Sequence, residues 1–96
     1  MPKGYFISAH RSTADPEKRA AYLKLAGPAL EKYNGKVLAS TNKIKVFEDG
    51  KAEQTVLVEF ESFEKAAEFI DSKEYQDALL ALDGGANRDC RVFEGL

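Results

Sequence analysis

The period of apolar positions changes several times along the chain. Thr55-Val56-Leu57-Val58-Glu59-Phe60 is a nearly continuous run of β-branched and aromatic residues and predicts a buried strand. Ser62 then stands where a helix N-cap is needed, ahead of a stripe made by Phe63, Ala66, Ala67 and Ile70. Asp71-Ser72 restarts helical structure, and Tyr75, Ala78, Leu79 and Leu82 again share one helical face. Gly84-Gly85 ends that helix. The rest of the chain can be arranged around this strand-helix unit.

Lys3 to Arg11 predicts the first strand. Tyr5, Ile7, Ala9 and Arg11 share one face; Phe6, Ser8 and His10 share the other. Alternation leaves open which face meets the helices. Asp15-Pro16 opens the first helix, because Asp15 can accept orphan backbone N–H groups and Pro16 suits the first helical position. Its stripe is Tyr22, Leu25, Ala26, Ala29, Leu30 and Tyr33. Pro28 removes one helical hydrogen bond, so a kink is expected at Gly27-Pro28. Asn34-Gly35 ends the helix, with Gly35 suited to the left-handed position after the cap.

Lys36 to Ser40 is a second strand, and Lys43 to Glu48 either continues it or forms a separate ribbon arm. Asp49-Gly50 is a hairpin signal. Asp89 to Glu94 is the last strand, with Arg91 and Phe93 on one face and Cys90 and Val92 on the other. The order is βαββαβ, the split βαβ pattern of an α+β ferredoxin-like fold. It implies one domain over residues 1–96 and a four-stranded antiparallel sheet with its helices on one face.

That arrangement leaves one sheet face uncovered, and both strand phases carry apolar side chains. Tyr5 and Ile7 oppose Phe6 across the first strand, and Leu57 opposes Val56, Val58 and Phe60 across the central one. A soluble monomer rarely exposes such a patch. A homodimer with sheets packed face to face covers it; a monomer whose second-strand arm folds over the face is the alternative.

Composition narrows the class. Ninety-six residues suffice for one domain with little stability to spare. The formal net charge is −2 with no Lys/Arg block, which argues against a nucleic-acid partner. No apolar run approaches the roughly 20 residues of a membrane helix. Met1 to Ile7 lacks the core of a signal peptide, so the cytoplasm is the expected compartment. Cys90 is the only cysteine and has no metal-ligand spacing around it, so neither a metal nor another cofactor is expected.

Gly4-Tyr5-Phe6-Ile7, Asp15-Pro16-Glu17, Tyr22 with Ala26-Gly27-Pro28-Ala29-Leu30, and Tyr33-Asn34-Gly35-Lys36-Val37-Leu38-Ala39 form a recognisable set. Glu59-Phe60-Glu61-Ser62-Phe63-Glu64-Lys65-Ala66 and Asp71-Ser72-Lys73-Glu74-Tyr75-Gln76 complete it. The chain resembles domain-of-unknown-function family thirteen-thirty, within the dimeric α+β barrel superfamily, from Gly4 to about Gly95. The resemblance implies a homodimer whose two sheets close a barrel. It carries no activity. The superfamily includes cofactor-independent monooxygenases, isomerases and haem-degrading enzymes, and those are analogies of fold.

The candidates for chemistry are few. His10, the only histidine, can serve as a general base near neutral pH, or be a partly exposed strand-end residue. Glu59 sits between Val58 and Phe60; inside a barrel its carboxyl would be an acid–base group, and otherwise it pairs with Arg91 or Arg11. Tyr22, Tyr33 and Tyr75 lie on apolar helix faces, where each either lines a cavity or fills the core, Tyr33 more plainly the latter. Arg11, Arg88 and Arg91 can bind a carboxylate or phosphate, or pair with Glu94, Asp89 or Glu59. Gly84-Gly85-Ala86-Asn87 lacks phosphate-loop spacing and reads as a plain loop. Three functions follow: a homodimer binding a small organic molecule, with Tyr22, Tyr75 and Arg91 as ligand contacts; a metal-free monooxygenase- or isomerase-type enzyme using His10, Glu59 or a tyrosine for proton transfer; or an interaction module with a filled barrel. An open cavity beside His10 or Glu59 separates the first two from the third.

Overall fold

The computed structural model describes residues 2–96, and its elements follow the sequence pattern closely. They are β1 (Gly4–His10), α1 (Pro16–Lys32), β2 (Lys36–Thr41), β3 (Thr55–Phe60), α2 (Phe63–Asp71), α3 (Lys73–Leu82) and β4 (Arg88–Glu94). The strands form one antiparallel sheet in the order β2-β3-β1-β4. This is the ferredoxin-like arrangement, with the second helical segment split in two.

All three helices contribute to one core on one sheet face. Phe6, Val58 and Phe60 from the sheet meet Ala26 and Ala29 of α1, Ala66 and Phe69 of α2, and Tyr75 and Ala78 of α3. The even-numbered phase of β1 is therefore the inner one, and Phe6, Ser8 and His10 are all buried. The pairs Phe6–Val58, Phe6–Val92 and His10–Arg88 carry that phase across the sheet. Tyr5, Ile7, Leu57, Glu59, Arg91 and Phe93 fall on the opposite, helix-free face by the same registers.

The caps explain where each helix begins. Asp15 accepts the backbone N–H groups of Glu17 and Lys18, Ser62 accepts that of Lys65, and Ser72 accepts that of Tyr75. Ser72 also donates its hydroxyl to Phe69 O at 2.7 Å, so one side chain closes α2 and opens α3. At the end of α1 the left-handed residue is Asn34 (φ 58°), not Gly35. Asn34 N–H bonds Glu31 O and Gly35 N–H bonds Leu30 O, the paired bonds of a Schellman closure. Gly35 is needed for space instead: a Cβ there would lie 2.8 Å from Leu30 Cδ2 and 2.9 Å from Phe60 Cε1.

Four local features add to or change the expectations. First, α1 continues through Gly27-Pro28 to Lys32 without ending there; Pro28 and Lys24 lie on the exposed side, where water can take the carbonyl that proline cannot bond. Second, Leu25 is 44% exposed and does not belong to the α1 stripe. Third, the centre of α2 is Phe69, 1% exposed, while Phe63 at its start is 39% exposed. Fourth, Lys43–Glu48 forms neither a continued strand nor a ribbon. β2 ends where Thr41 pairs with Thr55, and beyond that point no strand faces it. The chain turns back through Phe47–Gly50, where Gly50 N–H bonds Phe47 O at 2.9 Å and Glu48 takes φ 50°.

Candidate functional site

Small residues facing each other leave a void between α1 and the sheet. Ala26 and Gly27 on α1 stand across from Ser8 of β1 and Ser40 of β2, and together they border an inner pocket of about 280 Å³. An added Cβ on Gly27 would meet nothing within 4 Å. The rest of the wall is mainly apolar, with Leu23, Leu30, Val56, Val58 and Phe69. A wider outer cleft of about 680 Å³ adjoins it, formed by the residues after β1 and those ahead of β3. His10, Arg19 and Leu23 border both spaces, so they mark the passage between them.

His10 is held there by its backbone. Its N–H bonds Gln54 O at 2.9 Å, and Arg11 N–H bonds Asn87 O at 2.7 Å, tying the end of β1 to the segments on either side. The residue is only 6% exposed. Its ring makes no hydrogen bond among the described residues, and no solvent-sealed side-chain nitrogen or oxygen among them lacks a partner. The imidazole nitrogens therefore face the cavity. Burial, then the Arg88 and Arg19 charges, hold the imidazole below its ordinary value, against an opposing pull from Glu53. Around neutral pH it is an uncharged ring with a free acceptor nitrogen.

Beyond His10 lies a polar cluster built from three elements. Arg88 Nη1 donates to Ser8 Oγ at 3.2 Å and to the Tyr22 hydroxyl at 3.3 Å. The Arg88 guanidinium also lies 5.0 Å from the Tyr22 ring centroid. The Tyr22 and Tyr75 hydroxyls are 2.8 Å apart. Burial, with Tyr22 adding to it and Arg88 opposing, raises the Tyr75 phenol well above its ordinary value, so it stays protonated. Arg88 has no carboxylate partner among the described residues, whose ion pairs are Lys18–Asp83, Lys32–Glu74, Lys73–Asp77 and Arg91–Asp89. A half-buried cation without a counter-charge attracts an anion.

The structure thus brings His10 and Tyr22 to the inner pocket, with Tyr75 bonded to Tyr22; Glu59 lies away from it, and Arg91 borders a separate hollow that it shares with Tyr75 and Arg88. Glu59 lies on the helix-free face, where the Tyr5 hydroxyl donates to its carboxylate at 3.4 Å. It is paired with neither Arg91 nor Arg11. Arg91 is on that same face and makes a two-pronged bond to Asp89 at 3.1 Å. Tyr33 packs edge-on against Phe69. Arg88 takes the inward place, and the sequence carried a signal for it: counting back from Val92 and Cys90 puts Arg88 in the core-facing phase, which becomes visible once the strand starts one residue earlier. Arg19 and Ser8 also border the inner pocket, and the sequence holds a signal for each. Arg19 precedes Tyr22 and Ala26 by 3 and 7 positions, on the same helical face, and Ser8 lies between Phe6 and His10 in the inner phase of β1. Among the described residues no group of His, Cys, Asp or Glu is arranged to hold a metal ion, and no helix is long and apolar enough to cross a membrane.

A four-stranded antiparallel sheet with its helices on one face defines a ferredoxin-like α+β fold. Within that class the chain belongs to the family described as "Domain of unknown function (DUF1330)", which it matches over residues 3–96. Among solved structures it is similar to RPA0582, a protein of unknown function from Rhodopseudomonas palustris, with a TM-score of 0.74 and 18% identity over 99% of this chain and 83% of that one. Two proteins provisionally described as antibiotic biosynthesis monooxygenases are similar in fold. The one from Caulobacter crescentus CB15 has a TM-score of 0.58 and 11% identity, covering 99% of this chain and 90% of that one. The one from Nitrosomonas europaea has a TM-score of 0.56 and 12% identity, with the same coverage of 99% and 90%. At these identities the likeness is one of fold. No curated protein matches the chain.

Proposed function

We propose that this single domain is a homodimer that binds a small organic molecule in the pocket between α1 and the sheet, not in the barrel between two sheets. The observation that carries the reading is the inner pocket itself: an apolar space of about 280 Å³ with a polar end at Arg88 and Tyr22 and a passage at His10. A concave, mainly apolar site with a few convergent polar groups is the usual form of a small-molecule site. Benzene-sized ligands occupy cavities of about 150 Å³, so a fused bicyclic body fits this one. Tyr22 is the proposed ligand contact; Tyr75 supports it from behind.

Metal-free acid–base catalysis is the second reading, and His10 favours it. A neutral, unbonded imidazole facing a cavity is placed to accept a proton from a bound molecule, with Arg88 and Tyr22 stabilising the charge left behind. Glu59 has no part in it, because the sheet stands between Glu59 and the pocket.

The binding reading is tested by screening small aromatic compounds by calorimetry against the native protein and Gly27→Met, which places a side chain where there is open space. Binding that disappears in Gly27→Met supports the pocket; binding unchanged by it locates the ligand elsewhere. Turnover unaffected by His10→Gln would remove the catalytic role.

A further inference from the structure

Resting on the pocket reading above, we propose that Ser8, Tyr22 and Arg88 form a wall that offers hydrogen-bond donors only, and that the occupant is an apolar, aromatic-sized carboxylate whose oxygens meet that wall. The directions of the hydrogen bonds carry the proposal. A hydroxyl has one hydrogen to give and two lone pairs to receive. Tyr75 is 2% exposed, and the only acceptor near its hydroxyl among the described residues is the Tyr22 oxygen at 2.8 Å. A buried O–H without an acceptor is costly, so Tyr75 is the donor in that pair. Arg88 Nη1 donates to the same Tyr22 oxygen. Both Tyr22 lone pairs are then taken, and its own hydrogen is free for the pocket that Tyr22 borders.

Ser8 repeats the pattern more weakly. Its Oγ receives Arg88 Nη1 at 3.2 Å and the Cys90 thiol at 3.7 Å, which leaves the Ser8 hydrogen free on the pocket side. Arg88 has donors only and no carboxylate partner among the described residues. Three groups from β1, α1 and β4 therefore present N–H or O–H to one space, and no acceptor stands among them. Arg19 adds a second cation at the passage. A ligand whose polar end met this wall as a donor would set hydrogens against hydrogens, and the free acceptor nitrogen of His10 stands at the passage, outside the wall. A carboxylate satisfies all three groups and supplies the missing counter-charge. The apolar remainder of the pocket takes the hydrocarbon body.

Three shape-matched probes test this by calorimetry on the native protein: 2-naphthoate, the neutral acceptor 2-acetylnaphthalene, and the donor-only cation 2-naphthylmethylammonium. The naphthoate is expected to bind at least about tenfold more tightly than the ketone, since a charged hydrogen-bonding group gains roughly that much over a neutral one. The cation is expected not to bind. In Arg88→Met the naphthoate-to-ketone ratio falls toward one. Should Arg88→Met fail to fold, the near-isosteric Tyr22→Phe serves, with loss of naphthoate affinity expected and retained ketone binding showing an intact pocket. Equal binding of all three probes, or a ratio unchanged in both variants, overturns the donor wall while leaving the pocket reading standing. Binding by none of the three overturns both.

Discussion

His10 combines an inward strand position with the absence of a bonded partner, and this makes its titration informative. Its folded value lies below the 6.5 of an unperturbed imidazole, so the unfolded chain binds that proton more readily. The contribution to stability is complete above about pH 6.5 and declines as the pH falls from there through the folded value. Burial is the first cause, with Arg88 and Arg19 adding repulsion and Glu53 opposing it. Urea unfolding between pH 5 and 8 should therefore show a loss on the acid side that flattens in His10→Gln. An NMR titration of the imidazole should place its midpoint below the ordinary value, and bound 2-naphthoate should move it back up, because an anion beside Arg88 offsets the repulsion. Gly27 gives a second expectation at this scale. Gly27→Ala adds a methyl to open space within a helix and should stabilise the protein by about 0.5–1 kcal/mol in the same assay.

Among the elements, α2 shows how a helical stripe can be misread by one position. Phe63, Ala66, Ala67 and Ile70 satisfy the spacing, yet Phe69 is the ring at the centre, with Phe60 at 5.2 Å and Tyr75 at 4.6 Å between centroids. Phe63 is the first residue of α2, where the backbone of the cap and first turn lies against the start of β1. The close approach there is visible at Gly4, where any Cβ would collide with Ser62 O. Phe69→Ala should cost about 3–5 kcal/mol of unfolding free energy. Leu25→Ala, on the exposed side of α1, should stay within about 0.5 kcal/mol. Ser72→Ala removes the cap of α3 and the bond to Phe69 O together, and about 1–2 kcal/mol is expected from thermal or denaturant unfolding. A Leu25→Ala loss as large as that of Phe69→Ala would mean the faces of α1 are assigned wrongly.

At the scale of the whole molecule, the helix-free sheet face carries the assembly proposal. Tyr5 stacks on Phe93 at 5.7 Å, and Ile7 pairs across the strands with Leu57. These apolar groups sit beside the Tyr5–Glu59 and Asp89–Arg91 pairs on the same face. A two-fold partner covering this face leaves the helix-side pocket open in each copy, so assembly and ligand binding use opposite sides of one sheet. Native mass spectrometry at micromolar concentration should give a dimer, and Leu57→Asp should give a monomer that still binds whatever the native pocket binds. A native monomer would sink the dimer without touching the pocket.

The sequence by itself determined the strands, the caps and the order of elements, because these depend on local matters: alternation, helical spacing, an Asp or Ser ahead of a stripe, and a Gly after it. It also placed Tyr22 and Tyr75 on inward helix faces, since their spacing from Ala26, Ala29, Ala78 and Leu82 is a local fact. Tertiary structure decided which phase of β1 is buried. Alternation defines two faces and cannot say which one the helices choose, and that choice put His10 in the pocket and Glu59 and Arg91 outside it. The pocket, too, arises only in three dimensions. Ser8, Ala26, Gly27 and Ser40 are ordinary small residues far apart in the chain, and they make a void only because the fold sets them face to face.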